Sequence, residues 1–333
     1  MHITGIICEY NPFHNGHKYQ IDKIKADGSD FIIAAMSGDW VQRGGPAIID
    51  KYSRTLMALR SGIDLVLEIP TIYSTGSAND FAMGGVSLLD SLGCVNELCF
   101  GCEAPDESSL DRVTEFMINH QEDLAKEIAV YMKEGNTYPK ARELALTKYF
   151  DEYTVEGLNK PNNILAIEYK KTLYNLNSSI KTKALLRKGS KYNDSELNIN
   201  SYSSATAIRN NILSSYDFTT NDDSYYHDDE PAVSNYMSLS GSNIRQAMSE
   251  PLSPIINHVP ASTYEILLEK LGKTYPLITQ NFSRELGYKL IHDRVNGYEQ
   301  YLDVSKDIAD KIRNNINYFE SFDTIFASFR NGT

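Results

Sequence analysis

Two imidazoles three residues apart, with a glycine between them, are the residues of this chain best placed for chemistry. His14-Asn15-Gly16-His17 follows the apolar run Ile3 to Ile7 and precedes Lys18-Tyr19-Gln20-Ile21-Asp22-Lys23-Ile24. The run reads as a buried first strand, and Ile21 and Ile24 stand at helical spacing. The pair therefore falls where a strand turns into a helix. A helix N-terminus offers unpaired N–H groups and partial positive charge, which suits phosphate. Asn11-Pro12 punctuates the turn. Gly16 has no side chain to keep a ligand from the backbone. Both imidazoles can donate hydrogen bonds to phosphate oxygens from one side. The plainer reading, two polar loop histidines with one capping the helix, stays open for so short a pattern, and placement is what tests it.

The surrounding segments read as an α/β chain. Phe31 to Met36 is a second buried strand, followed by Ser37-Gly38-Asp39-Trp40 and the polar loop Val41-Gln42-Arg43-Gly44-Gly45-Pro46. Trp40, the only tryptophan, is either a hydrophobic anchor or a pocket wall that stacks on a base. Asp50 to Ser61 reads as a helix whose Lys51, Arg54 and Arg60 form a solvated, positive face. Asp64 to Ile69, closed by Pro70, is a third strand. Ser77 to Leu92 reads as helix, weakened by Gly84-Gly85. Glu97 to Phe100 is a fourth strand before Gly101-Cys102-Glu103.

Helical pattern then runs from Glu107 to Gly135 and from Pro139 to Phe150. Lys160-Pro161-Asn162-Asn163 opens a further helix, with Asn162 or Asn163 as its cap. Lys181 to Lys188 is a fifth strand that ends in Arg187-Lys188. Short apolar strands alternating with helices imply a mostly parallel sheet covered on both faces. Ligands bind such sheets at the carboxyl ends of the strands, here Glu9–His17, Ser37–Arg43, Pro70–Ser74 and Gly101–Glu103. Farther on, Ser201-Tyr202-Ser203-Ser204-Ala205-Thr206-Ala207-Ile208-Arg209 starts another helix. Ser204, Thr206 and Arg209 read as a phosphate clamp, or simply as a capped helix start.

Composition narrows the class. The chain has 333 residues and a formal net charge of −12, which argues against a general nucleic-acid coat protein. No run of about 18 apolar residues is present, so no membrane span is expected. No signal-peptide pattern is present, so a reducing cytoplasm is the expected setting. Of Cys8, Cys94, Cys99 and Cys102, the last two form a C-x-x-C with no second pair, so no metal site is expected and Cys99 reads as a small apolar strand residue.

Several longer strings carry a resemblance. His14-x-Gly16-His17, with Ser203-Ser204-Ala205-Thr206-Ala207-Ile208-Arg209 downstream, resembles the nucleotidylyltransferase superfamily. Glu9 to His17, Met36-Ser37-Gly38-Asp39 with Gln42-Arg43-Gly44, Phe100-Gly101-Cys102-Glu103 and Lys160-Pro161-Asn162-Asn163-Ile164-Leu165 resemble the bacterial tRNA(Met) cytidine acetate ligase family over at least residues 1–212. The resemblance implies a Rossmann-like parallel-sheet nucleotidylyltransferase domain. It also implies an enzyme that activates acetate with ATP and acetylates N4 of the wobble cytidine of elongator tRNA(Met), in the anticodon. ATP would then contact Ile7-Cys8-Glu9-Tyr10-Asn11-Pro12-Phe13-His14-Asn15-Gly16-His17-Lys18-Tyr19-Gln20, Gly101, Asn162 and Arg187. His14, His17 and Arg187 would be catalytic, Ser204, Thr206 and Arg209 would hold phosphate, and Mg²⁺ would share the phosphate charge.

Two features depart from the family pattern. A second Ser-rich string, Ser240-Gly241-Ser242-Asn243-Ile244-Arg245-Gln246-Ala247-Met248, competes with the first, so Arg245 is an alternative to Arg209. Family members also usually continue beyond the point where this chain stops, although Ile325 to Phe329 still reads as core. The expected organisation is an ATP-binding domain over 1–215, an acidic loop and linker over 216–258, and a smaller α-helical domain over 259–333. In that last domain Arg284, Lys289, Arg294, Lys306, Lys311 and Arg313 either touch RNA backbone or form a solvated surface. Two other functions fit the same site: a small-molecule adenylyltransferase, and a noncatalytic RNA-binding protein that senses ATP.

Overall fold

The computed structural model describes residues 1–42, 44–103, 107–186, 196–197, 202–216 and 250–330. Arg43, Arg187, the acidic stretch 217–230 and the string with Arg245 lie outside the described residues. Five parallel strands form one sheet: β1 (Ile3–Cys8), β2 (Phe31–Ser37), β3 (Leu65–Ile69), β4 (Glu97–Cys102) and β5 (Lys181–Leu186), in the order β3-β2-β1-β4-β5. The order reverses between β1 and β4, the switch point where open α/β sheets bind ligands. There the ladder fails: β1 pairs with β2 over six residues, but with β4 only at Thr4↔Glu97 and Gly5↔Leu98. Beyond Gly5 the two strands part. The Cys99 carbonyl on β4 instead accepts a 3.2 Å hydrogen bond from Gln20 Nε2.

Helices α1 (Asn15–Ala26), α2 (Lys51–Arg60), the short α3 (Thr71–Ser74), α4 (Ala78–Asp90), α5 (Glu107–Asn119), α6 (Gln121–Lys133), α7 (Tyr138–Leu146), α8 (Glu152–Leu158), α9 (Pro161–Asn175) and α10 (Ala205–Ser215) surround the sheet. Side chains alternate across each strand, so Ile33 and Ala35 pack on one face and Ile32 and Ala34 on the other. The first face meets α4, α5 and α9 through Phe81, Leu110 and Ala166. The second meets α1, α2 and α10 through Ile21, Met57 and Ile208. The same alternation separates Cys99 and Cys102, which are buried in opposite cores, so the C-x-x-C cannot converge on one ion. Burial pushes the Cys99 thiol up to about 12.

Gly84 and Gly85 do not break α4; they let it lie close to its neighbours. A Cβ on Gly84 would stand 2.4 Å from the Tyr73 Cβ, and one on Gly85 would stand 2.8 Å from Ile7 Cγ2.

Two local expectations are corrected and a third is refined. Arg54 is not on a solvated face: it is fully buried, and its guanidinium donates to the carbonyls of Glu9 (2.5 Å), Ser37 (3.2 Å), Ile49 (3.1 Å) and Gly38. It thereby ties the ends of β1 and β2 to α2. Neither Asn162 nor Asn163 caps α9, which starts at Pro161 with Lys160 as N-cap. Proline at the first position needs no N–H partner, and this frees Asn163 to bond Glu103 N–H and C=O at the end of β4 (2.8 and 3.0 Å). The helical stretch 107–135 is two helices, the second with His120 as N-cap.

The chain divides into two compact units, Met1–Pro276 and Leu277–Thr333. Helix Ala261–Lys270 belongs to the first, because Ile266 and Leu267, with Val259, Leu271 and Tyr275 beside it, complete the core beside α1 and α10. The second unit holds helices Ser283–Asp293, Lys306–Asn315 and Phe322–Arg330 around Tyr298, Ala309 and Ile312. Four of its basic side chains have local partners: Lys289 with Asp293, Lys311 with Asp307, Arg313 with Glu299 and Asp310, and Arg294 with Asn317. Among the described residues no helix is long and apolar enough to cross a membrane.

The Gly84 contact makes a prediction. Gly84→Ala should lower stability by about 1–2 kcal/mol, because overpacking against Tyr73 outweighs about 1 kcal/mol of helix propensity. The midpoint of urea unfolding measures it, and an unchanged or raised midpoint would contradict the packing.

Candidate functional site

The loop between β1 and α1 is held from beneath. Tyr10 adopts a left-handed conformation (φ 49°) and is buried, as is Phe13. Asn11 Oδ1 accepts the Ile48 N–H at 2.8 Å. On this base stand the two histidines. His14 is the N-cap of α1, and its Nδ1 accepts the Gly16 N–H at 3.0 Å. His17 Nδ1 in turn accepts the His14 N–H at 3.2 Å. This is a capping box with imidazoles in place of the usual hydroxyl and carboxylate.

A backbone N–H only donates, so each Nδ1 is an acceptor and each ring carries its proton on Nε2. The two rings stack at 3.6 Å and 20°, and His17 also rests against Tyr10 (4.7 Å) and Phe13 (5.5 Å). A Cβ on Gly16 would stand 2.9 Å from His14 Cε1, so the ring position itself demands glycine. The capping reading and the chemical reading are therefore compatible: Nδ1 serves the helix start and the ring proton stands on Nε2.

A second helix N-terminus reaches the same cleft. Ser204 caps α10 by accepting the Ala207 N–H at 3.0 Å. Arg209, one turn on, donates to the Asn11 carbonyl (2.7 Å) and to Thr206 Oγ1 (3.1 Å). Residues 257 and 258 lace the two helix starts together. The Asn257 and His258 carbonyls accept from the Asn15 side chain (2.9 Å) and N–H (3.1 Å), while His258 Nδ1 pairs with Ser203 Oγ at 2.9 Å. Burial holds the His258 imidazole below its ordinary range. These two residues lie about 240 positions from Asn15, so no local signal marked them.

The cleft encloses about 1340 Å³, its open mouth included. Ile7, Cys8, Glu9, Tyr10, Asn11, His14, Gly16, His17, Tyr19 and Gln20 line it, together with Gly101, Asn162, Ser204, Thr206 and Arg209. Four members of the expected nucleotide-contacting segment do not. Pro12 and Phe13 are buried under the loop, Asn15 turns to 257–258, and Lys18 pairs with Asp22. Arg187 lies outside the described residues. Asn162 donates to Glu103 Oε1 at 2.6 Å, at the mouth.

Gln42, Phe81, Phe100, Leu165, Tyr169 and Tyr202 also line the cleft and were not singled out from sequence as site residues. Gln42 is placed by its N–H bond to Glu9 Oε1 (2.9 Å). Trp40 is not part of the lining; its carbonyl accepts Ser74 Oγ at 3.1 Å.

The capping geometry separates structure from chemistry at one position. His14→Ala should cost about 1 kcal/mol of stability through loss of the cap, whereas His14→Asn, a good N-cap residue, should stay within about 0.5 kcal/mol of the parent. Thermal unfolding of the two variants checks this, and equal destabilisation would contradict the cap.

Comparison with known proteins agrees with this geometry. The family model described as HIGH Nucleotidyl Transferase matches residues 1–224 and 218–331. The tRNA(Met) cytidine acetate ligase of Clostridium perfringens is 48% identical over 224 residues, covering 65% of this chain and 56% of the relative. That of Caldicellulosiruptor saccharolyticus is 48% identical over 213 residues, covering 64% and 52%. The chain thus spans little more than half the length of these curated relatives. The crystal structure of Thermotoga maritima TmcAL bound with alpha-thio ATP superposes with a TM-score of 0.76 at 28% identity, over 98% of this chain and 70% of that one. Its apo form gives 0.78 at the same identity, over 98% and 71%. With paired histidines at the head of α1, a sheet that parts beside them and a family match running almost end to end, the chain belongs to the HIGH nucleotidyl transferase family, with tRNA(Met) cytidine acetate ligases among its relatives.

Proposed function

We propose that this chain is an ATP-dependent acetate ligase that forms acetyl-adenylate and acetylates N4 of the wobble cytidine (C34) of elongator tRNA(Met), in the cytoplasm. The observation that carries the reading is the convergence of His14, His17, the N-termini of α1 and α10, and Arg209 on one cleft. Such fixed donors and partial positive charges suit a polyanion. The names of the relatives and the alpha-thio ATP bound in the Thermotoga structure support ATP and tRNA(Met) as the substrates.

In the first step an acetate oxygen attacks the α-phosphorus of ATP, and the bond to the bridging oxygen of pyrophosphate breaks. Negative charge grows on the departing oxygens. Donors already aimed at that region lower the barrier without reorganisation at the moment of reaction. We assign this role to His14, His17 and Arg209, joined by Arg187. Gly101 and Asn162, at the ends of β4 and α9, are assigned to the nucleoside end. Among the described residues no group of three or more metal-ligating side chains comes together. Mg²⁺ is therefore assigned chiefly to the phosphates, as that ion commonly binds, where it would neutralise charge.

In the second step the N4 amine of an unstacked cytidine attacks the acetyl carbonyl, and AMP leaves. Anticodon loops present such bases.

The first step is separable from tRNA and tests the reading. Exchange of labelled pyrophosphate into ATP should depend on acetate, and His14→Asn should lower it by about 10²-fold or more, the usual loss for one transition-state donor. With tRNA added, digestion should yield N4-acetylcytidine. Exchange that proceeds equally without a carboxylate would contradict the acetate assignment and favour a small-molecule adenylyltransferase.

A further inference from the structure

The cleft has two chemically different halves, one on each face of the sheet. His14, His17, Tyr10 and the α10 start lie with the core beside α1 and α10. Phe81, Phe100 and Tyr169 belong to the opposite core, beneath α4 and α9, with Ile7 and Leu165 packed against it. The two halves meet where β1 and β4 part. Continued from Gly5↔Leu98, the ladder would set Ile7 opposite Phe100, but the strands no longer pair there. The gap between them opens into the apolar half, and all five of these side chains line it.

The apolar half is narrow. Phe81, Phe100 and Tyr169 are 2%, 5% and 4% exposed, so none leaves a whole ring face open to the cleft. Stacking of adenine or cytosine needs such a face. A methyl group does not. Nor can a carboxylate head enter there. Lys170, over the Phe100 ring at 5.4 Å from its centroid, is already matched by Asp111 (2.7 Å), Glu107 (3.3 Å) and Thr182 (2.6 Å). An acid bound in this cleft would therefore put its alkyl end into the apolar half and turn its oxygens toward the histidines.

Resting on the acetate-ligase reading above, we propose that Ile7, Phe81, Phe100, Leu165 and Tyr169 form the acyl pocket, and that its depth selects a two-carbon acid. Leu165 and Ile7 form its half-buried rim, while the three buried aromatic side chains form its floor. The pocket does two things for the first step. It orients the acid so that an oxygen, not the methyl, faces the α-phosphorus, and it rejects longer chains by lack of space.

The test uses the 333-residue chain and carboxylate-dependent pyrophosphate exchange, with acetate, propionate and butyrate as probes. Leu165→Ala, on the rim and in a helix that tolerates alanine, should raise the propionate-to-acetate ratio of kcat/KM about tenfold, the discrimination one methylene commonly carries. Leu165→Phe should do the reverse, raising KM for acetate while leaving KM for ATP unchanged. Two variants of opposite sign guard against simple misfolding. Intact acetate exchange with an unmoved ratio in both variants overturns the pocket alone. A changed KM for ATP with an unmoved carboxylate ratio overturns it in favour of a nucleobase site. Absence of carboxylate-dependent exchange in the parent chain overturns both the pocket and the function it rests on.

Discussion

Two hydrogen bonds fix the paired imidazoles of this molecule: Gly16 N–H to His14 Nδ1 and His14 N–H to His17 Nδ1. Each uses a backbone donor that the start of a helix must satisfy anyway. Each also fixes a ring's tautomer, its plane and the direction of its remaining N–H. Helix capping and ring orientation thus come from the same contacts. The rest of the loop serves them. Glycine at 16 makes room for the His14 ring, Tyr10 and Phe13 floor His17, and Asn11 anchors the turn to Ile48.

The sheet supplies the second constraint. A parallel sheet whose order reverses between β1 and β4 has no crossover helix filling that notch, and here the ladder ends after two pairs. Parted strand ends would leave carbonyls unbonded, and side chains take them up: Gln20 bonds Cys99, and Arg54 gathers Glu9, Ser37 and Gly38. Arg54 does this from a fully buried position, matched by carbonyl dipoles, while desolvation draws its pKa down. The cleft is wide because its rim is cross-braced by side chains in place of a β-ladder.

Much of this was legible in the sequence. The central strands β1, β2 and β4 fall on apolar runs, within a residue or two of their ends, because strands buried on both faces read as hydrophobic stretches, and the half-buried edge strands β3 and β5 lie within the segments read as strands. The strand-to-helix placement of His14 and His17 and the capped start of α10 were also local signals. What escaped depends on long-range contact. The Arg54 side chain looks like surface charge until three strand-end carbonyls surround it. Asn163 looks like a cap until Pro161 starts the helix and Glu103 claims its amide. Phe81, Phe100, Leu165 and Tyr169 look like ordinary core, since only the cleft beside the parted β1 and β4 reaches them. Asn257 and His258 carry no motif at all and act through their carbonyls.

The central claim is that both rings present Nε2–H to bound phosphate. Long-range ¹H–¹⁵N correlation spectra of histidine-labelled protein report it directly. The account predicts the Nε2–H tautomer for His14 and His17 in the free chain, with the Nε2 resonances of both moving when ATP is added. A Nδ1–H tautomer at either residue, or Nε2 signals indifferent to ATP, would contradict it.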